Sequence, residues 1–577
     1  MHSITNRVLA VVSSTTLALC LQSTLALDAA AQSAPPQTPP VPVPANLPVL
    51  SAAEQARLDG LLMETDIPHL HALYEKRAVT VEQVTRWYIT RIAKYNGIYR
   101  DVQTVDVAGA LATAKAKDAD HAGKHGPLWG VPMVIKANTA VKGLLDTDGW
   151  DGFVIAGHEF IAPKDATVVA KLKAAGAVVL GITNMPDFAA SDTNRSTAFG
   201  RTGNAYDVRF SPGGSSGGTV TAVTSNEAAL GTGTDTANSI RMPSGTSSVV
   251  GMLPTRGLVS IAGIAPLDWL RDNTGPIARN VTDVAIALGV MAGEDPLDFR
   301  TEGSATKAEP GPYTQYLKKD ALKGKRFGVP AFVLGTVGAD NSGRSNGMRP
   351  ETRAMLMKTI DQLRAAGAEV VIDDKLLTAD FSALLRKVNT APYRKDGADQ
   401  WLKEFGPAQY HTNEEYQAAT GQSMPPVFTG IRQGNNRNGA TTPPIQQVTL
   451  KTDPNADTNF FGPQREALAA YNKALDDYHL DGLIYPSAQM PPPDETMPQD
   501  GAISGGPHSA TGWVNSIGVP AIVLPAGYYD SGLPFGLEIS ARPWKDGDLI
   551  GWAYAYEQAT KLRRPPVLVE KGLLTAK

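Results

Sequence analysis

Three side chains of this sequence have the types and the setting for nucleophilic catalysis. Ser215 lies in the glycine-dense run Ser211-Pro212-Gly213-Gly214-Ser215-Ser216-Gly217-Gly218, and Ser239 follows the turn Gly233-Thr234-Asp235, 24 positions after Ser215. Upstream, the apolar run Val131-Pro132-Met133-Val134-Ile135 ends in Lys136. A serine attacks a carbonyl only when a neighbouring base takes its proton, and a buried lysine becomes that base once desolvation favours its neutral form. Two serines in tight loops and a lysine closing an apolar strand are therefore the parts of a Ser–Ser–Lys hydrolase. Each part alone has a plainer reading. A lysine at a strand end is ordinarily a solvated charge, and Gly-Gly-Ser-Ser-Gly-Gly alone reads as a flexible linker. The same run lacks the Gly-Lys-Ser/Thr ending of a phosphate-binding loop. Asp235 suits a third catalytic position or a structural one, bonding nearby N–H groups or pairing with Arg241. Arg241 suits an anionic substrate or a buried ion pair that braces the loop.

The elements that must carry these residues alternate between helix and strand. Leu58 to Tyr74 and Thr80 to Tyr95 read as helices, the second opening on a capping box of Thr80 with Gln83. The phrase Ala-Ala-Gly-Ala followed by valines occurs at Ala174–Val179 and again at Ala365–Val371. Each reads as a helix, a glycine turn and a buried strand, the unit of an α/β sheet. The stretch from Asp380 to Phe461 is polar, broken by Gly, Asn and Pro, and reads as a variable insertion. It lies either along the substrate entrance or on the surface.

The N-terminus carries its own message. Met1 to Arg7 is weakly basic, Val8 to Leu27 is mostly apolar, and Ala29-Ala30-Ala31 supplies small residues for cleavage. Residues 1–31 read as a secretory signal peptide, so the expected location is periplasmic or secreted. A membrane anchor is the weaker reading, because Ser13 to Thr16 interrupt the apolar run. The single cysteine, Cys20, falls inside that segment, and cleavage there leaves a mature chain without thiol chemistry or disulfides. Residues 32–50 are proline-dense and read as an extended tether, with one domain expected over residues 51–577.

Composition narrows the function classes. With 53 basic against 57 acidic residues the net charge is −4, so no broad basic face for nucleic acid is expected. His69 and His71 are two apart and no His-Glu-x-x-His occurs, so neither a metal nor another cofactor is expected.

Taken together, several ordered segments resemble the amidase signature family. They are Gly126-Pro127-Leu128-Trp129-Gly130-Val131-Pro132 through Lys136, Gly181 to Phe188, the Gly213–Gly218 loop and Gly233–Arg241. Pro254 to Gly257, Gly275 to Arg279, Val519-Pro520-Ala521 and Gly532 to Leu537 continue the order. The resemblance spans about Ala52 to Lys561. It implies an α/β fold with a large mixed β-sheet core flanked by helices. It also implies Ser239 as nucleophile, Ser215 as the bridging serine after a cis Gly214–Ser215 bond, and Lys136 as base. The backbone N–H groups of Thr236, Ala237, Asn238 and Ser239 then form the oxyanion hole. Ala237 and Asn238 stand where many members of the family carry glycine. Asn tolerates left-handed backbone, whereas Ala237 is costly if a positive φ is needed there.

The expected function is therefore a secreted or periplasmic amidase that cleaves a small-molecule or peptide amide through an acyl-enzyme on Ser239, with esterase side activity. Aryl, fatty acyl, peptide amides and carbamates all fall within the family's range, and the sequence does not choose among them. Two alternatives come from other classes: an amidotransferase A-type subunit, and a catalytically impaired binding protein on the same fold.

Overall fold

The phrase Ala-Ala-Gly-Ala does what its residues require. Helix Thr167–Ala174 stops, Gly176 takes φ 104°, and a strand begins at Val178. A Cβ at Gly176 would lie 2.6 Å from the Trp129 Cα, so backbone passes too close there for any side chain. Helix Pro350–Ala365, Gly367 at φ 97° and strand Glu369–Ile372 repeat the unit. The computed structural model describes residues 39–120, 125–335, 347–430, 434–435, 441–442, 445–496 and 507–567. Residues 1–31, read as a signal peptide, lie outside them.

Eleven strands assemble into one sheet. They are β1 (Val102–Val105), β2 (Pro132–Lys136), β3 (Val178–Thr183), β4 (Leu230–Asp235), β5 (Val250–Leu253), β6 (Asn273–Ala278), β7 (Arg326–Val329), β8 (Glu369–Ile372), β9 (Gly482–Pro486), β10 (Ala521–Tyr528) and β11 (Pro534–Ala541). Their spatial order is β1-β3-β2-β4-β6-β5-β10-β11-β9-β7-β8. Strands β3, β2 and β4 run parallel, as do β9, β7 and β8, while the pairs from β4 through β6, β5, β10 and β11 to β9 are antiparallel. The mixed sheet flanked by helices matches the fold that the resemblance implies. Strands β2 to β6 are buried along their whole length, as layers covered on both faces must be.

Three details differ from the sequence reading. The single helix expected over Leu58 to Tyr74 is two, Ala52–Leu62 and Ile67–Glu75. Glu64 at φ 57° breaks the run, and Asp66 starts the second helix by accepting from the His69 N–H at 2.7 Å. The expected tether reaches the domain earlier than residue 51. The compact unit begins at Pro40, the Val41 N–H donates to Ala198 O, and the Leu50 N–H donates to Thr90 Oγ1. The stretch 380–461, read as polar and irregular, contributes helices Ala379–Lys387, Arg394–Phe405 and Asn413–Thr420 with an aromatic interior. Trp401 stacks on Phe160 at 4.7 Å, and Tyr416 meets Trp150 and Phe153 edge-on or tilted. Trp401, Leu402 and Phe405 recur at helical spacing, so the buried stripe was present in a sequence whose average composition hid it.

Candidate active site

Parallel pairing of β2 with β4 brings Lys136 to the candidate site. The register Met133 to Leu230 and Val134 to Gly231 carries the two strand ends up side by side, so Lys136 arrives beside Thr234 and Asp235. Its Nζ lies 2.7 Å from Thr234 Oγ1, 2.8 Å from Ser215 Oγ, 2.9 Å from Ser216 Oγ and 3.3 Å from Thr234 O. Lys136 is fully buried, and that desolvation lowers its pKa to about 7 against the opposing charges of Asp235, Asp148 and Asp272. Among the described residues none of these acids is hydrogen-bonded to Lys136 Nζ. Burial pushes Asp148 well above the usual carboxylate range and Asp272 up to about 6, and Asp235 is committed to Arg241. The arrangement holds an amine that is neutral in about half of the molecules at pH 7 in contact with a serine hydroxyl. A neutral amine donates twice and accepts once, so Nζ can donate to Thr234 and Ser216 while accepting from Ser215.

Ser215 and Ser239 approach from two loops that touch. The Gly214–Ser215 peptide is cis, and helix Gly217–Thr224 begins two residues later. Space at Gly214 is set by backbone: a Cβ there would lie 2.5 Å from Thr193 O and 2.7 Å from Ser191 O. The Ser216 N–H donates to Ser239 O at 3.2 Å and holds the loops together. Ser215 is wholly buried, whereas Ser239 keeps 6 % of its surface, which leaves the latter as the reachable hydroxyl. Ser239 Oγ makes one long contact, 3.5 Å to Asn238 Oδ1. Among the described residues no hydrogen bond joins Ser239 Oγ to Ser215 Oγ.

The loop from Thr236 to Ser239 presents its backbone donors unused. Among the described residues none of the four N–H groups finds an acceptor. Their direction is imposed from behind. Asn515 Nδ2 holds Asp235 O at 2.9 Å, and Arg241 Nη2 holds Ala237 O at 2.6 Å. In a trans peptide the C=O and the next N–H point to opposite sides, so the Thr236 and Asn238 N–H groups face away from those anchors. Neither Ala237 nor Asn238 has a positive φ, so the absence of glycine costs this loop no left-handed strain.

Asp235 and Arg241 form the brace. Arg241 Nε and Nη2 meet the two Asp235 oxygens at 3.1 and 3.2 Å, Nη1 bonds Glu538, and Nη2 also bonds Asn515 Oδ1. Asp235 Oδ2 further accepts from the Ile240 N–H at 2.9 Å. Burial raises the Asp235 pKa, but the Arg241 charge and these donors outweigh it and hold the carboxyl below its usual range. All charged members have fully buried side chains, which assigns Arg241 to the structural reading rather than to a substrate anion. Sequence reasoning missed Ser216 and Thr234, each next in the chain to a residue it named, and Asn515 and Glu538, which only folding brings near. Among the described residues no group of three or more His, Cys, Asp and Glu side chains is placed to hold a metal.

Comparison with known proteins agrees with this architecture. The family model described as Amidase matches residues 83–550. The A-type subunit of the glutamyl-tRNA(Gln) amidotransferase from Moorella thermoacetica is 32 % identical over 505 residues, covering 86 % of this chain and 96 % of its own length. The native peptide amidase structure from Stenotrophomonas maltophilia superposes with a TM-score of 0.69 at 28 % identity, over 87 % of this chain and 98 % of its own. An amidase family protein from Bacillus anthracis str. Ames shares the fold with a TM-score of 0.71 at 24 % identity, over 90 % and 95 % of the two chains.

Proposed function

Because the chain belongs to the Amidase family, we propose that it is a working amidohydrolase that cleaves an amide C–N bond through an acyl-enzyme on Ser239. The observation that carries this reading is the buried Lys136, held at 2.8 Å from Ser215 Oγ with its pKa lowered to about 7. Ser239 Oγ adds to the substrate carbonyl carbon as Ser215 takes its proton and passes its own to Lys136 Nζ. The carbonyl oxygen becomes an oxyanion that the N–H groups of Thr236, Ala237, Asn238 and Ser239 receive, each typically worth about 3 kcal/mol in such sites. Collapse returns the proton through Ser215 to the leaving amine. Water then adds to the ester by the same relay and releases the acid and free Ser239. For the relay to run, the Ser239 hydroxyl turns from Asn238 Oδ1 towards Ser215.

The proposed substrates are linear amides, with esters as a side activity, since an ester leaving group needs less help from the returned proton. Lys136→Ala is then expected to lose amide cleavage more severely than ester cleavage. Read with residues 1–31 as a signal peptide, the enzyme works in the periplasm or outside the cell. A second reading, an amidotransferase A-type subunit, is favoured by the 32 % identity to a protein of that kind. The two separate on location and on whether amide cleavage needs a further polypeptide. The direct test is intact mass after fluorophosphonate treatment. One adduct on wild type, absent from Ser239→Ala, supports the proposal. A folded wild type that takes no adduct refutes it and returns the choice to a binding protein.

A further inference from the structure

Asn238, between the oxyanion donors and the nucleophile, is fixed from outside by a carboxylate. Its Nδ2 donates to Asp192 Oδ1 at 3.0 Å and to Ser509 Oγ at 2.8 Å, using both of its hydrogens. That leaves Oδ1 of the same amide facing Ser239 Oγ at 3.5 Å. Asp192 is therefore two hydrogen-bonded contacts away from the nucleophilic oxygen. Its segment is also tied to the bridging loop, since Ser191 O and Thr193 O lie against Gly214.

The other carboxylate oxygen is uncommitted. Among the described residues Asp192 Oδ2 has no hydrogen-bond partner, and Asp192 is only partly buried. The charges that act on the group are few. Burial raises its pKa and Asp235 adds to that, while the Asn238 hydrogen bond and the positive form of His508 oppose the rise. Asp235 is spent on Arg241. A half-buried carboxylate with one unpaired oxygen, one side chain removed from the nucleophile, is a strong acceptor for a donor that carries charge.

We propose that Asp192 is a specificity-determining residue that receives a cationic group, such as an ammonium, borne by the substrate close to the scissile carbonyl. The inference rests on Ser239 being the nucleophile and narrows its substrates to amides with a nearby positive charge. A residue that merely orients Asn238 would serve neutral and cationic substrates alike, and this difference is what an experiment can read.

The test uses two fluorophosphonates matched in length, one neutral and one ending in a primary ammonium, with second-order labelling rates measured by intact mass on the full chain. Wild type is expected to favour the ammonium probe by about tenfold or more, the scale of a charge-assisted hydrogen bond. In Asp192→Asn, which keeps an acceptor for Asn238, the ratio of the two rates is expected to fall to about one. Asp192→Glu retains part of the preference. A wild-type ratio near one overturns the inference without recourse to any variant. So does an Asn variant that slows both probes equally and keeps the ratio. If neither probe labels wild type, the Ser239 reading itself fails and the inference falls with it.

Discussion

The base assignment predicts a pH profile whose position follows from burial. Moving Lys136 from the ordinary lysine value of 10.5 to about 7 corresponds to roughly 5 kcal/mol against the buried cation. At pH 7 about half of the enzyme then holds a neutral amine, where an unshifted lysine would leave roughly one molecule in 3000. In the proposed relay the neutral form is the active one, so activity is expected above the folded pKa and lost as pH falls through it. The assay is the second-order rate of fluorophosphonate labelling of wild type between pH 5 and 9.5. It should rise with unit slope, bend near pH 7 and level above about pH 8. Thr234→Val supplies a check of sign. Removing the 2.7 Å acceptor from Nζ takes away an interaction that favours the cation, so the bend should move to lower pH. The same linkage reaches stability. The unfolded chain binds the extra proton between about pH 7 and 10.5, so the Lys136 contribution makes wild type more stable as pH rises through that window. Lys136→Met should lack that part of the rise. A labelling rate that is flat from pH 6 to 8, or that bends near pH 10, would refute lysine as the base.

Further predictions follow from the loops around the relay. Asp235→Asn leaves Arg241 buried with one full counter-charge fewer and should cost about 3–5 kcal/mol, read as a lower denaturant midpoint together with slower Ser239 labelling. An unchanged midpoint would remove the brace from the account. Ala237→Gly should leave the labelling rate within about twofold and lower stability by about 0.5–1 kcal/mol, since φ there is not positive. A tenfold gain in rate would mean that the oxyanion loop does need glycine. Gly214→Ala places a methyl 2.5 Å from Thr193 O, which is backbone and cannot rotate aside. Loss of labelling in a destabilised protein is expected, measured by intact mass and by thermal melting.

The structure also shows which parts of the sequence could be read directly. Helix starts were legible where their causes are local. The capping box of Thr80 and Gln83 is present as the residues predict, at the head of helix Val81–Tyr99. The break at Glu64 was not, because the apolar spacing continues across it and only Asp66 and Pro68 marked the new start. The interior of 380–461 was missed for a related reason. Its aromatic residues pack against Trp150, Phe153 and Phe160, which lie in a different part of the chain.

At the candidate site, residue types and order marked Lys136, Ser215 and Ser239, because the groups that the proposed relay needs leave short local signatures in glycine-rich loops and at a strand end. What the sequence could not decide is the environment of each. Whether Lys136 is an ordinary surface cation or an amine that can lose its proton near pH 7 depends on its burial at the end of β2 beside β4, with Asp148 pushed towards its neutral form and Asp235 already paired. Whether Arg241 binds substrate or braces the loop depends on Glu538 and Asn515, which lie 297 and 274 positions away in the chain. Chemistry-bearing residue types are a property of the chain. Desolvation and pairing are properties of what folding places around them, and these set the charge, direction and reach of every group in the site.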